Sequence, residues 1–202
     1  TAGSATRNIS LTGNWSFNGT TGSGTVTFTG AGTQTLSGVT SSGTLVINKT
    51  GGSVTLGNAL TVGTFTLTAG TFDPSTFLLT ATTSTLTAGT LRVGAATWAA
   101  NYSFTPTPLA GFTIEYYNAG AVINGAITYQ NLTFSGTGTA GASAALTVQG
   151  NLVNSGGGAL NFGANNVTLS GTVAANSIAG FTTTGAITIS KTAGTATITD
   201  NV

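Results

Sequence analysis

The chain has 202 residues and a formal net charge of +1, and only 3% of its residues are charged (four basic and three acidic). It contains no His, Cys or Met, which excludes imidazole and thiolate metal sites, Cys or His nucleophiles and disulfide frameworks. The near-zero charge excludes a basic surface for nucleic acid or acidic lipid. We therefore expect no nucleic-acid partner, no metal and no cofactor.

Glycine (31 residues) and threonine (about 45) dominate the composition. Even so, 40% of the residues are hydrophobic and the mean hydropathy is +0.32, which predicts a folded chain because disorder needs low hydrophobicity. No apolar run approaches the roughly 18 residues of a membrane span, so we expect no membrane insertion. The chain opens Thr1-Ala2-Gly3-Ser4 without an apolar leader, which we interpret as a mature protein or an excised fragment.

Short segments that alternate apolar residues with threonine or asparagine follow one another along the chain. They include 25–29, 44–47, 64–68, 131–134, 166–169 and 187–189. Period-two alternation in segments that are bounded by Gly, Asn or Ser is typical of short, half-buried strands. Because Thr and Val are β-branched, they fit a pleated sheet and disfavour helix. The sequence predicts an all-β protein.

A repeat of 19 residues selects the architecture, since Leu67–Phe72 (LTAGTF) recurs as Leu86–Leu91 (LTAGTL). This period predicts a right-handed parallel β-solenoid (β-helix) with coils of roughly 19–22 residues, in which each strand pairs with its equivalent one coil later. The same shift places Asp73 over Arg92, and we expect a structural ion pair there. An outward threonine ladder is expected at Thr66, Thr68, Thr85 and Thr87.

Longer repeats divide the predicted single solenoid, residues 1–202, into modules at about 25–93 and 113–173 and a truncated third copy at 186–202. The third copy aligns Lys49 with Lys191, and we expect both lysines to aid solubility or protect a strand edge. Neither terminus has the polar cap that a solenoid end needs. We interpret this as a segment of a longer array or a subunit that stacks end to end.

One stretch departs from the repeat. Pro106 and Pro108 occur where a short glycine-rich turn is expected, which predicts an irregular loop excursion near 98–112. Solenoids often place binding loops at such interruptions, so Trp98, Tyr102, Phe104 and Phe112 form a candidate ligand loop that could stack on sugars. The alternative, which we favour, is that these rings pack into the core.

The motifs at 25–38 (TVTFTGAGTQTLSG), 45–57 (LVINKTGGSVTLG) and 60–73 (LTVGTFTLTAGTFD) carry a family resemblance. They resemble the Thr/Gly-rich repeat regions of large secreted, adhesin-like cell-surface proteins of Bacteroidota-type bacteria. The resemblance implies an extracellular β-solenoid stalk or fibre on the bacterial cell surface. Its implied partners are copies of itself, surface glycans and other cells.

Two further functions compete with a structural one. A polysaccharide hydrolase or lyase needs clustered carboxylates, but the chain offers only Asp73, Glu115 and Asp200, so we expect no enzyme. Ice binding uses Thr-x-Thr rows on a flat solenoid face, and such rows occur at 64–68, 85–87 and 195–199. The alternative is that threonine is simply the usual outward residue of a neutral solenoid. A threonine column confined to one face would separate the two.

Overall fold

The computed structural model describes residues 8–16, 22–38 and 42–199. Asp200 and the outermost parts of the predicted solenoid, 1–7 and 200–202, lie outside the described residues. The described chain is a β-solenoid of about nine turns with almost no helix. The all-β, parallel solenoid prediction is therefore confirmed.

Most of the described strands have two to four residues because each side of a coil is short, but two of them have 13 and 14 residues and continue from one side to the next. Before the single helix they are β1 (Ile9–Leu11), β2 (Trp15–Ser16), β3 (Thr25–Phe28), β4 (Gln34–Ser37), β5 (Thr44–Leu56), β6 (Leu60–Asp73), β7 (Leu79–Leu86) and β8 (Thr90–Val93). After helix α1 (Trp98–Asn101) they are β9 (Thr113–Tyr116), β10 (Val122–Ile123), β11 (Thr128–Tyr129), β12 (Asn131–Phe134), β13 (Thr139–Ala142), β14 (Leu146–Val148), β15 (Leu152–Asn154), β16 (Ala159–Leu160), β17 (Val167–Leu169), β18 (Ala175–Ile178), β19 (Ile187–Ile189) and β20 (Thr195–Ile198).

Parallel pairing between successive coils organises all of these strands. The largest sheet has the order β1-β3-β5-β6-β8-β9-β12-β15-β18-β20, with β2, β4 and β7 beside this path. Two smaller sheets, β10-β13-β16 and β11-β14-β17-β19, form the other two sides of the C-terminal coils. Leu67 pairs with Leu86 and Thr66 pairs with Thr85, which confirms the 19-residue register in this part of the chain.

The coil length varies more than the sequence repeat predicts. Ile114 pairs with Leu132 only 18 positions later, whereas Leu152 pairs with Ile178 after 26 positions. Residues 98–112 contain α1 and no further strand, and the coil that includes them is 23 residues long from Leu91 to Ile114. Turns absorb the extra residues, because the strands themselves must stay in register.

Apolar side chains from every coil meet in one continuous core. Alternation along each strand points every second residue inward, where it stacks on its equivalent in the next coil. The largest fully buried side chains are aromatic: Tyr102, Tyr116, Tyr129, Phe28, Phe65, Phe72, Phe112, Phe134, Phe162 and Phe181. Each such ring stabilises the fold by about 1.5–3 kcal/mol. No helix in the described part of the chain has the length and apolar character needed to span a membrane.

A lysine lies inside this core. Lys49 is only 2% exposed, and its Nζ donates a hydrogen bond to Oε1 of Gln34, which is 1% exposed. The Gln34 amide in turn donates to the carbonyl oxygens of Leu11 (3.1 Å) and Gly13 (2.7 Å). Lys49 is therefore neither a solubility device nor a guard of a strand edge, and that prediction is wrong for it.

Alternation along β5 places Lys49 inside, because it lies four and two residues after the buried Leu45 and Ile47. The register between β5 and β6 shifts on both sides of Asn48, beside the lysine. The neighbouring coil leaves room for the lysine with a glycine, because a Cβ on Gly70 would lie 2.6 Å from the Cβ of Lys49. Gly70 also has a φ of +85°, which a side chain would strain.

We expect Lys49→Met to lower the free energy of unfolding by about 1–3 kcal/mol, because it leaves the Gln34 oxygen buried without a donor. Burial lowers the pKa of Lys49, so the unfolded chain binds that proton more tightly and the cost of burying the charge lessens as the pH rises toward 10.5. Urea unfolding at several pH values measures both effects.

The double variant Lys49→Met, Gln34→Leu is the control. Because it removes both partners, it should recover part of the lost stability. A single variant as stable as the double variant, or as the natural chain, contradicts the pairing.

Candidate functional site

Three of the chain's seven charged side chains form one cluster on an outer face. Arg92, on β8, lies between Asp73 on β6 and Glu115 on β9, each one coil away. Its Nη1 is 2.9 Å from Asp73 Oδ2, and its Nε is 3.1 Å from Glu115 Oε2. A further bond of 3.2 Å joins Nη2 to Glu115 Oε1, which makes this contact bidentate. The Asp73–Arg92 contact is where the 19-residue shift predicts it.

Sequence reasoning missed Glu115. A uniform 19-residue shift places Gly111 opposite Arg92, because the shift takes no account of the longer coil at 98–112. The charge of Glu115 was the signal that could have found this contact. Glu115 occupies an outward position in a predicted strand, and the two nearest charges that precede it are Asp73 and Arg92. Three stacked charges of alternating sign can coexist where like charges would repel.

Tyr117 and two serines complete the cluster. The Arg92 guanidinium lies 4.1 Å from the centre of the Tyr117 ring, a cation–π contact. The Tyr117 hydroxyl and the Ser75 backbone amide both donate to Asp73 Oδ1, at 2.9 and 2.8 Å. The Ser135 hydroxyl donates to Glu115 Oε1. All four carboxylate oxygens are thus hydrogen-bonded, an arrangement that fits a clamp between coils better than a general acid or base.

A second lysine contact repeats the first. Lys191 Nζ donates to Oδ1 of Asn176, and both residues lie 142 positions after Lys49 and Gln34. Asn176 is 3% exposed and Lys191 is half-buried. The repeat in the sequence aligns Lys49 with Lys191. It does not reveal their carboxamide partners, because Gln34 and Asn176 differ in residue type.

The candidate ligand loop faces the core. Trp98, Tyr102 and Phe112 are 4%, 1% and 0% exposed, and Phe104 is half-buried. The Trp98 and Tyr102 rings lie 4.4 Å apart, and Trp98 Nε1 donates to the Phe104 carbonyl at 2.6 Å. These side chains cannot offer open ring faces to a sugar. The ligand assignment for this loop is corrected to core packing, which buries the large apolar rings.

The predicted threonine ladder lies on the outer surface. Thr66 and Thr68 are half-exposed, and Thr85 and Thr87 are exposed. The Thr87 backbone amide donates to the Leu67 carbonyl at 2.9 Å, in keeping with the register of Thr66 on Thr85. The Thr68 hydroxyl bonds the Ile47 carbonyl at 3.2 Å. Threonine here joins neighbouring coils and also covers the surface.

Two shallow depressions lie beside the sheet β11-β14-β17-β19. One, of about 410 Å³, is bordered by Ser170 and Ser190, and the other, of about 330 Å³, by the segment 105–108. Both share Gln130 and Gln149, whose amides are hydrogen-bonded to each other. No charged or aromatic side chain borders either depression. They therefore lack both the acid–base groups and the ring platforms of a catalytic or sugar-stacking cleft.

We expect Arg92→Ala to lower the free energy of unfolding by about 1–2 kcal/mol, a range that allows for solvent screening of a partly exposed cluster. It leaves Asp73 and Glu115 without a cation and uncovers the Tyr117 ring. Arg92→Lys, which keeps the charge but cannot bond Glu115 in a bidentate manner, should lose less. Denaturant midpoints measure both, and an alanine variant at least as stable as the lysine variant contradicts the clamp.

The four tyrosines provide a pH-dependent test. Burial raises the pKa of Tyr116 and Tyr117 to about 12 and those of Tyr102 and Tyr129 well above the ordinary value. In the unfolded chain tyrosine ionises near pH ~10, so above that pH the unfolded state binds fewer protons and folding stability falls. Phenolate absorbance of the folded protein should stay low until the pH nears 12.

Unfolding the protein at pH ~10.5 should release the full phenolate signal. Tyr117→Phe is the control, since it removes one titrating group near the surface. Phenolate absorbance that rises in the folded protein as it does in the unfolded chain contradicts the burial of these hydroxyls.

The sequence matches no protein-family model, and searches of curated proteins and of solved structures found no match. The fold and the surfaces described above therefore carry the functional argument.

Proposed function

We propose that the chain is a structural repeat segment of an extracellular bacterial surface protein or fibre, in which solenoid coils stack end to end. The observation that carries this proposal is the exposed apolar interior at the last described coil. Ile189 is 59% exposed, whereas Leu169, its register partner one coil earlier, is 2% exposed. Ile198 is 37% exposed, and its partner Ile178 is 1% exposed.

The strand edges agree with the side chains. Among the described strands, β19 pairs only with β17, and β20 pairs only with β18. At the other end β1 pairs only with β3, and Ile9 is 36% exposed. An unpaired edge beside exposed inward-facing isoleucines is a template for a further parallel strand. The two ends differ, so joining them gives a head-to-tail contact that extends as a filament.

The neutral surface suits such a repeat. Equivalent side chains in neighbouring coils lie about 4.8 Å apart, where like charges repel and threonines hydrogen-bond. Thr64 and Thr83 illustrate this, with their hydroxyl oxygens 2.9 Å apart. The secreted, bacterial and adhesin-like parts of the proposal rest on the resemblance of the repeat motifs to surface proteins. Labelling of intact source cells with an antibody against this chain tests the location.

End-to-end association predicts a mass that grows with protein concentration, measured by light scattering, and rods by negative-stain microscopy. Ile189→Asp should abolish this growth, because it places a charge on the exposed end of the core. Thr188→Asp is the matched control, since it adds the same charge one residue away on the outward side of β19.

Circular dichroism must show that both variants keep the strand content of the natural chain. A natural chain that stays at the mass of one copy at all concentrations overturns the stacking proposal. So does equal loss of association in the two variants.

A further inference from the structure

One face of the solenoid concentrates threonine in aligned columns. Its first column follows the start of β3, the start of β5 and the middle of β6 and β7, and consists of Thr25, Thr44, Thr64 and Thr83. A second column lies two residues further along each strand and consists of Thr27, Val46, Thr66 and Thr85. We call these two columns the Thr face. Seven of its eight positions are threonine.

The register makes the Thr face a regular lattice. Neighbouring strands place equivalent side chains about 4.8 Å apart, and residues two apart on a strand are about 6.5 Å apart. The β-branched side chain restricts χ1, and the Thr64–Thr83 hydroxyl bond of 2.9 Å couples adjacent coils. Methyl and hydroxyl groups are thus held in rows that repeat in two directions.

Other described faces carry single threonine columns, such as Thr71, Thr90 and Thr113 on β6, β8 and β9, but none of them pairs two adjacent columns as the Thr face does. The next face along the coils, on β6, β8 and β9, places Asp73, Arg92 and Glu115 in the equivalent central positions. Further along that face, Glu115 is followed by Thr133 and then by Val153. The Thr face therefore differs from the other faces in its two adjacent columns and not in the presence of threonine alone.

The chemistry of the Thr face restricts its ligand. It holds no charged side chain, so it offers no ion pair to an acidic or basic partner. The aromatic rings that a sugar would stack on are buried at Trp98 and Tyr102. What remains is an uncharged, two-dimensional array of hydroxyls and methyls, with repeat distances of the order found between oxygen atoms in ice. We propose that the Thr face binds ice.

A further threonine column lies in the C-terminal coils, on the sheet β11-β14-β17-β19. Thr128, Thr147, Thr168 and Thr188 pair in direct register. The flanking positions there are no longer threonine, since Ala126 and Gln130 flank Thr128. The 330 Å³ depression beside residues 105–108 borders this column at Thr128. We therefore assign binding to the N-terminal Thr face, where both columns are present.

The test is thermal hysteresis and ice-crystal shaping by the purified chain, together with partitioning into a growing ice hemisphere. The natural chain should lower the freezing point relative to the melting point and enter the ice. The double variant Thr66→Tyr, Thr85→Tyr should lose most of the hysteresis, because two bulky rings disrupt the lattice. A natural chain with no hysteresis, no crystal shaping and no partitioning overturns the proposal.

Two control variants distinguish an effect on the Thr face from a general loss of folding stability. Thr133→Tyr makes the same change on the charged face and should leave hysteresis unchanged, with equal denaturant midpoints for all variants. Val46→Thr completes the second column and should increase hysteresis several-fold. An equal loss in Thr133→Tyr, or a loss in Val46→Thr, overturns the assignment to this face, as does binding of neutral glycans by the Thr face in place of ice.

The inference does not depend on end-to-end stacking. Ile189→Asp should retain hysteresis per molecule while losing association, because Ile189 lies outside the Thr face. Each proposal can therefore fail without the other.

Discussion

Parallel hydrogen bonding between successive coils is the constraint on which the other features of this protein depend. It places every side chain directly over its equivalent about 4.8 Å away. The geometry therefore favours residue types that pack or hydrogen-bond well against a residue of the same type. Apolar residues stack inside, as Leu67 does on Leu86, and threonines stack outside. Charges stack on one another where their sign alternates from coil to coil, as at Asp73, Arg92 and Glu115. The low charge of the chain is a consequence of this geometry.

The buried polar side chains of Lys49 and Gln34 are also held by contacts between neighbouring coils. Lys49 cannot stack on another lysine, and the equivalent space in the next coil is occupied by Gly70. Its ammonium is instead satisfied by Gln34, which in turn bonds two backbone carbonyls of the preceding coil. Lys49 also donates to the Thr29 carbonyl at 3.4 Å, and a buried charge held by so few partners is costly to disturb. The pair therefore ties three coils to one register in a protein whose threonine rows, taken alone, would tolerate slippage.

Stacking and surface display support each other in the proposed function. A solenoid that continues through its open edge repeats its outer faces at constant spacing, so any face that binds a regular partner gains area with each coil. The paired columns of the Thr face span β3, β5, β6 and β7, so end-to-end association repeats them once in each copy. The clamp at Arg92 lies on a separate face and stiffens the coil that contains the long excursion. Assembly and binding thus occupy different surfaces of the same coils.

The sequence by itself determined the strand content, the parallel solenoid and the Asp73–Arg92 register, because period-two alternation and a constant 19-residue shift are local properties of the chain. It could not determine which side chains meet across coils of unequal length. The extra residues at 98–112 brought Glu115 onto Arg92 and turned Trp98 and Tyr102 into the core, and the stacking of neighbouring coils placed Gln34 against Lys49. Only the tertiary structure decided these contacts, since they depend on how turns and bulges absorb residues. It likewise placed threonines in columns, two of them side by side on the Thr face, because columns exist only once successive coils are in register.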